Sequence, residues 1–593
     1  MFGKTKIYLN HLGFLCHAPK QARIEPSNHK EFVIQNLAYN AEETLSGGEN
    51  WQVIFEGKLV EKNTAQGKTM LADFSEITRP GIYRIALPDL SSYSAQFIIT
   101  DGVFAPLLRM LLDGVHLRRA GDFENEWRGP ATTDDAVFDN SGKYKDVSGG
   151  WYDAGDLRKW MTMSTLPAAA FVQTYQKLDL QWNQYAAEHV APNDLITEAA
   201  WGIDYILSMQ DEQTGMFYED VAGGGTNRKT KNSVWWVDNH AGCYADNADN
   251  RFTDNKRNSG DERKIRTSYN PIVQYVNQYV LVKTYQEIRK YQPQKAAKML
   301  EAAERNQQFL KGARESDSLH TWASVKSWRL ILALERMYVQ GFENENDAPD
   351  ALVQELTDLY SEDFHFWFMD EDKKEPYRGI LQSAQPLIAL CMYLDYFPGG
   401  TKAGQVKALI NDCFENYVVK MCGLNTFGIV PYGLYSEPAT ENETYRELDN
   451  GYFYRMYMPD NSSHGVNHGL GGHWTSWSHA LAYAGSLLQN EQMKMVAWDQ
   501  LYWLLGANPF HSCMVSGLGY SNPMPHSRFF GTFPGGFCVG PRGTTNDEPF
   551  VDMNGSLQWN STEYWNTPVT NTFFALSYLL PRHIKRENKL GRS

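Results

Sequence analysis

The sequence predicts two domains of different class: an all-β sandwich over residues 1–103, followed by an all-α toroid of helical hairpins over residues 104–593. Three observations carry this. A chain of 593 residues exceeds what one hydrophobic core organises. The first hundred residues alternate with a period of two between turn residues. From Pro106 the period lengthens to that of an amphipathic helix and stays there.

In the first domain, β-rich runs at 6–9, 21–24, 31–35, 51–55, 81–86 and 95–100 are separated by turn residues, the spacing of a sandwich. In the second, amphipathic segments fall near 106–119, 160–178, 194–210, 271–290, 294–312, 321–341, 349–361, 379–397, 402–420, 474–489, 492–505 and 567–581. Twelve helices joined in pairs suit a ring of hairpins. The longest connections, 119–159, 217–270 and 506–566, are also richest in Trp, Asp, Gly and Asn. Long loops inside a compact domain are where function concentrates, so a site is expected there.

The net charge of -15 argues against nucleic acid or an anionic membrane as partner, because both require a basic surface. No run approaches the roughly 18 apolar residues of a membrane span. No apolar signal core follows Met1, so the sequence reads as cytoplasmic. Seven cysteines without a CxxC pair favour neither a disulfide framework nor a zinc ribbon. With 17 Trp, 33 Tyr and 29 Phe there are rings enough to stack on sugar faces, although a large aromatic core explains the same counts.

The densest chemistry lies in Gly149-Gly150-Trp151-Tyr152-Asp153-Ala154-Gly155-Asp156. Two carboxylates three residues apart, with small residues between, can face one concavity if the backbone is tight, and glycine permits that. Hydrolysis with inversion needs a carboxylate that activates water and an acid facing it. A second carboxylate can orient the water or shift the pKa of the first. The alternative is that Asp156 caps a helix running through Trp160.

With Ser148 included, the segment resembles the general-base signature of glycoside hydrolase family 9. That resemblance implies Asp156 as base and Asp153 as its aid in holding water. Leu505-Gly506-Ala507-Asn508-Pro509, Ser512, Gly517, Gly519 and Pro525-His526-Ser527-Arg528 resemble the family's second signature. There His526 and Arg528 would contact sugar hydroxyls, and Ser527 replaces a second His. The stretches at 7–14, 18–20, 73–75 and 80–84 resemble the immunoglobulin-like domain of one family branch. The whole then implies an immunoglobulin-like sandwich before an (α/α)6 barrel.

The acid is written less plainly. The family places a Glu shortly before an aromatic-Asn-x-Pro run, here Tyr564-Trp565-Asn566-Thr567-Pro568. An ungapped register puts Asn560 there, and a three-residue deletion brings Glu563 to the position. Glu548 is the fallback. The alternative is that Glu563 merely favours a helix N-terminus. Aromatic neighbours Trp559, Tyr564 and Trp565 could bury it and keep it protonated.

Candidate sugar-binding residues are Trp151, Tyr152, Trp235, Trp236, Asp134 and Asp135, with Trp474 and Trp477 as weaker platforms. His464, His468 and His473 do not have metal-ligand spacing, and residues 118–135 lack the Cys and His of the family's zinc site. No cofactor is expected, and calcium stays open. The expected activity is inverting hydrolysis of β-1,4-linked, gluco-configured oligosaccharides, exo-acting on cello-oligosaccharides or glucosaminides. A secreted endo-glucanase and a catalytically impaired binding relative are the alternatives.

Overall fold

The computed structural model describes residues 5–38, 49–88, 92–124, 128–185, 193–223, 225–227, 244–246, 252–313, 318–339, 348–459, 468–524, 531–554 and 559–581. The N-terminal domain contains β1 (Ile7–Tyr8), β2 (Gly13–Phe14), β3 (Gln21–Ile24), β4 (Glu31–Ala38), β5 (Asn50–Thr64), β6 (Gly67–Asp73), β7 (Gly81–Ala86) and β8 (Phe97–Ile99). Their order is β1-β3-β6-β5-β4-β7-β8-β2. Strand β5 joins two sheets: Asn50–Lys58 pairs with β4, and Leu59–Thr64 pairs with β6. Phe14, Phe32, Phe74 and Phe97 fill the space between, with Phe14 edge-on to Phe74 and Phe97 at 5.2 and 5.4 Å.

The second domain contains α1 (Ala105–His116), α2 (Pro167–Lys177), α3 (Asp194–Ser208), α4 (Pro271–Tyr291), α5 (Pro293–Ala313), α6 (Ala323–Tyr338), α7 (Pro349–Thr357), α8 (Gln385–Tyr396), α9 (Ala403–Asp412), α10 (Gly471–Leu488), α11 (Glu491–Leu504) and α12 (Asn566–Leu579). Helix α9 continues through a π-helical turn to Cys422. Local sequence starts several of them. Asn193, Asn270 and Asn490 accept backbone N–H bonds as N-caps of α3, α4 and α11. Proline occupies the first turn of α1, α2, α4, α7 and α8, where it costs no hydrogen bond.

The even-numbered helices form a closed inner ring. Each of α2, α4, α6, α8, α10 and α12 packs on the next, and α12 closes on α2. Each of α3, α5, α7, α9 and α11 backs the inner helix before it, and α1 touches α12. This is the expected toroid. Because inner and outer helices alternate along the chain, every inner helix starts at the same end of the ring. The described parts of the long connections 117–166, 209–270, 358–384, 423–470 and 505–565 therefore gather at that end.

One expected helix is shorter than its pattern. Lys159–Trp160 is a strand, and α2 begins only at Pro167. That strand pairs with Asp220–Ala222, which pairs with Lys264–Arg266, which pairs with Val137–Phe138. The small sheet ties loop 117–166 to loop 209–270.

Candidate active site

Backbone pairing sets the base segment first. Tyr152 N–H donates to the Arg118 carbonyl at 3.0 Å and Ala120 N–H to that of Gly150 at 2.9 Å. Gly150 has φ +70, and a Cβ there would lie 2.6 Å from the Tyr205 ring, so no other residue fits without displacing α3. Beyond it the chain turns tightly. Asp153 N–H donates to the Arg158 carbonyl at 2.8 Å, and Asp153 Oδ1 accepts from Trp160 N–H at 2.7 Å and from Ser164 Oγ at 3.4 Å. Leu157, inside this turn, has φ +65, a conformation a branched side chain adopts only when its surroundings enforce it. Leu157 is fully buried against Ala120 and Tyr152. Asp156 is half-buried, and its Oδ1 accepts from Arg158 N–H at 3.1 Å. No helix starts at Asp156, so the capping alternative falls.

The two aspartates differ in environment. Asp153 is buried, and burial, then the neighbouring Asp156 charge, push its pKa well above the carboxylate range. Asp156 stands at the solvent side of the same turn. Arg118, also buried, lies near Asp153; burial pulls its pKa down to about 10 against the attraction of Asp153. Below them Asp220 accepts from Arg158 Nε and Arg266 Nε, each at 2.6 Å. Glu219 beside it is raised to about 7 by burial and by the Asp220 charge.

The segment carrying Glu563 packs directly on this turn. Asn566 N–H donates to the Asp153 carbonyl at 2.9 Å, and Ala154 bridges Trp565. On its other side, Val539 N–H donates to the Glu563 carbonyl at 2.8 Å and Trp565 N–H to that of Phe537 at 2.9 Å. Glu563 follows the one-turn helix Trp559–Thr562 and is buried, and Tyr564 and Trp565 are buried with it. Glu548, the fallback, is exposed in a hairpin turn whose buried neighbour Asp547 is held by Arg446 and Arg455. The segments carrying Asp153, Asp156 and Glu563 thus adjoin at one end of the ring.

Other expected site residues serve the scaffold. Trp151 is fully buried; its indole N–H donates to Glu198 at 3.1 Å, and Gly202 of α3 leaves room for the ring. It offers no face to a sugar. Tyr152 is equally buried, its hydroxyl 2.9 Å from Thr132 Oγ1. Asp135 is fully enclosed by a paired Arg263 and by Lys159 at 2.7 Å, so it is an internal counter-ion rather than a subsite wall. Trp474 and Trp477 lie in the core face of α10. His473 sits in the same helix rather than in a loop, bonded to Ser383 at 2.8 Å and lowered to about 4 by burial. His468, lowered to about 3 by burial, stacks on Trp565 at 4.9 Å. Trp235, Trp236, His464, His526 and Arg528 lie outside the described residues.

One grouping escaped the sequence. Carboxylate atoms of Asp134, Asp254 and Asp261 lie within 4.8 Å of one another and could hold a divalent cation. Asp134 is buried, shifted upward by that burial, and accepts a bond from Thr253. The three come from two separate loops, so no linear motif marks them. Asp134, like Asp135, therefore faces inward rather than toward a sugar.

Fold and site together define a protein of the glycoside hydrolase class. Residues 104–346 match the family description "Glycosyl hydrolase family 9", and residues 3–92 match "Cellulase N-terminal ig-like domain". Together these matches support a family 9, cellulase-like protein with an N-terminal Ig-like domain. Among curated relatives, it is 25% identical over 222 residues to Endoglucanase D of Acetivibrio thermocellus, covering 35% of this chain and 33% of that protein. It is 25% identical over 230 residues to a cellodextrinase of Butyrivibrio fibrisolvens, covering 36% and 39%. The match thus spans well under half of either relative. A metagenome-derived family 9 endoglucanase structure superposes with a TM-score of 0.67 at 18% identity, covering 97% of this chain and 99% of that one; at this identity the likeness concerns fold.

Proposed function

We propose that this protein hydrolyses β-1,4-linked gluco-configured glycans with inversion at the anomeric carbon. Asp156, half-exposed at the rim of the turn, takes a proton from the attacking water. Asp153, buried beside it, holds the turn and the water's orientation. Glu563 protonates the departing glycosidic oxygen. The observation that carries this is the stitching of the two acidic segments: the Asp153 carbonyl accepts from Asn566 N–H at 2.9 Å, three residues beyond Glu563. Carboxyls carried by two separate, hydrogen-bonded segments suit inversion, which needs them roughly 6.5–9.5 Å apart to admit water.

The substrate is proposed to be short: cello-oligosaccharides or glucosaminides cut from a chain end. A relative named cellodextrinase supports this, and relatives named endoglucanase support internal cleavage of a longer glucan as the second reading. A product assay on cello- and chitosan-oligosaccharides, followed by NMR of the anomeric proton, separates these. Release of α-configured short products from oligosaccharides supports exo-acting inversion. Loss of viscosity of a soluble β-glucan without matching monomer release favours endo-action. Retained β-configuration overturns the mechanism.

A further inference from the structure

The inner ring encloses a cavity of about 380 Å³, lined by side chains from all six inner helices. Its volume is that of a small-ligand site. It runs along the axis from Gln382 at the head of α8 to Asp395 and Tyr396 at its tail, with Tyr338 and Tyr578 from the tails of α6 and α12. Exposed Asp395 and Tyr338 mark its mouth. That mouth lies at the end of the ring opposite Asp153, Asp156 and Glu563, which all precede the heads of inner helices.

The lining selects a class of ligand. Gln385, Tyr279 and His479 are buried, line the cavity, and have side-chain polar atoms without hydrogen-bond partners among the described residues. Leaving such groups dry costs roughly 1–3 kcal/mol each, so an apolar occupant is excluded. The mouth carries Lys177, whose ammonium lies 4.3 Å from the Tyr578 ring centre, and Lys283, paired with Glu335 at 3.3 Å. Lys283 is paired with Glu335, and Asp395 offsets Lys177, so the mouth carries no net charge that selects an ion of either sign. What remains is neutral, with hydroxyls for the amide, imidazole and phenol, and C–H faces for Trp328 and Ile331. A pyranose has both.

We propose that the axial cavity binds a mono- or disaccharide at a second, non-catalytic site that opens opposite the catalytic end. The inference rests on the saccharide reading above, and the experiment separates the two. In the full chain bearing Asp156→Asn, hydrogen exchange is followed with and without cellobiose. The expected result is protection of 331–338 and 388–396, at the tails of α6 and α8, besides any protection of 151–160 and 561–566. Gln385→Leu and Tyr279→Phe, each with an unchanged Tm, are expected to weaken the tail protection at least tenfold in cellobiose concentration. Protection confined to 151–160 and 561–566 overturns the second site and leaves the catalytic reading standing. Protection nowhere overturns the second site too, and hydrolysis by the wild-type chain then judges the catalytic reading by itself. If either variant fails to fold, quenching of Trp328 fluorescence by cellobiose, compared between the full chain and Trp328→Phe, decides: an unchanged response overturns the site.

Discussion

Asp153 and Asp156 are chemically identical and three residues apart, and their surroundings give them different work. Burial and the adjacent charge raise the pKa of Asp153, while Asp156 remains half-exposed. Asp156→Asn is expected to lower kcat by about 10²–10⁴-fold, the typical worth of a general base, with Tm unchanged. Glu563→Gln is expected to cost a similar factor, and kcat against pH should then lose its alkaline limb, because the acid no longer titrates. Asp153→Asn keeps an acceptor for Trp160 N–H, so its loss should be at least tenfold smaller than that of Asp156→Asn. Equal losses in steady-state kinetics would move the base role to Asp153. The aspartates were legible in the sequence because their spacing and glycines are local. The role of Trp151 was not, because its partner Glu198 lies in α3. Trp151→Phe removes an N–H donor from that buried carboxylate and is expected to cost about 1–3 kcal/mol of stability by denaturant titration. Residual activity per folded molecule should stay near wild type.

At the scale of elements, each of the twelve helical segments has a counterpart, because a one-sided apolar stripe is written locally. The errors fall where another force overrides the period. Residues 160–166 carry helical spacing, yet Asp220–Ala222 and the bonds to Asp153 hold Lys159–Trp160 extended. Strand β6 and the second half of β5 were invisible because most of Leu59–Thr64 is exposed on both faces, which erases alternation. The acidic turn also depends on an element it does not contain. Gly202 in α3 lies beneath the Trp151 ring, where a Cβ would come within 2.5 Å of it. Gly202→Ala is expected to cost about 1–3 kcal/mol through overpacking, despite the better helix propensity of alanine. Because Trp151 leads into Tyr152-Asp153, kcat should fall with stability rather than KM rise alone. A variant as stable and active as wild type would show that the turn does not lean on α3.

Across the whole molecule, the sandwich and the ring share a packed boundary, which composition and period could not foretell. His11 N–H donates to the Leu505 carbonyl at 2.9 Å, and Phe14 lies edge-on to Tyr502 at 5.3 Å. Gly506 and Gly519 both lie under the His11 imidazole, so part of the second expected signature holds the domains together. A single unfolding transition is therefore expected, and Phe14→Ala should lower its midpoint for both domains at a cost of about 3–5 kcal/mol. Separate transitions in calorimetry would show the domains to be independent. The boundary also carries a pH signature. Arg23 meets Asp499 at 3.1 Å, yet burial outweighs that attraction and raises Asp499 to about 6. A carboxyl whose folded pKa lies above its unfolded value near 3.9 binds its proton more tightly in the folded chain. Its contribution is full below about pH 4 and lost as pH rises through about 6. Asp499→Asn cannot titrate, so the Tm difference, wild type minus variant, should decrease from pH 4 to pH 7. The expected change corresponds to about 1–3 kcal/mol, and a difference that grows over that range would mean that Arg23 governs the pair instead.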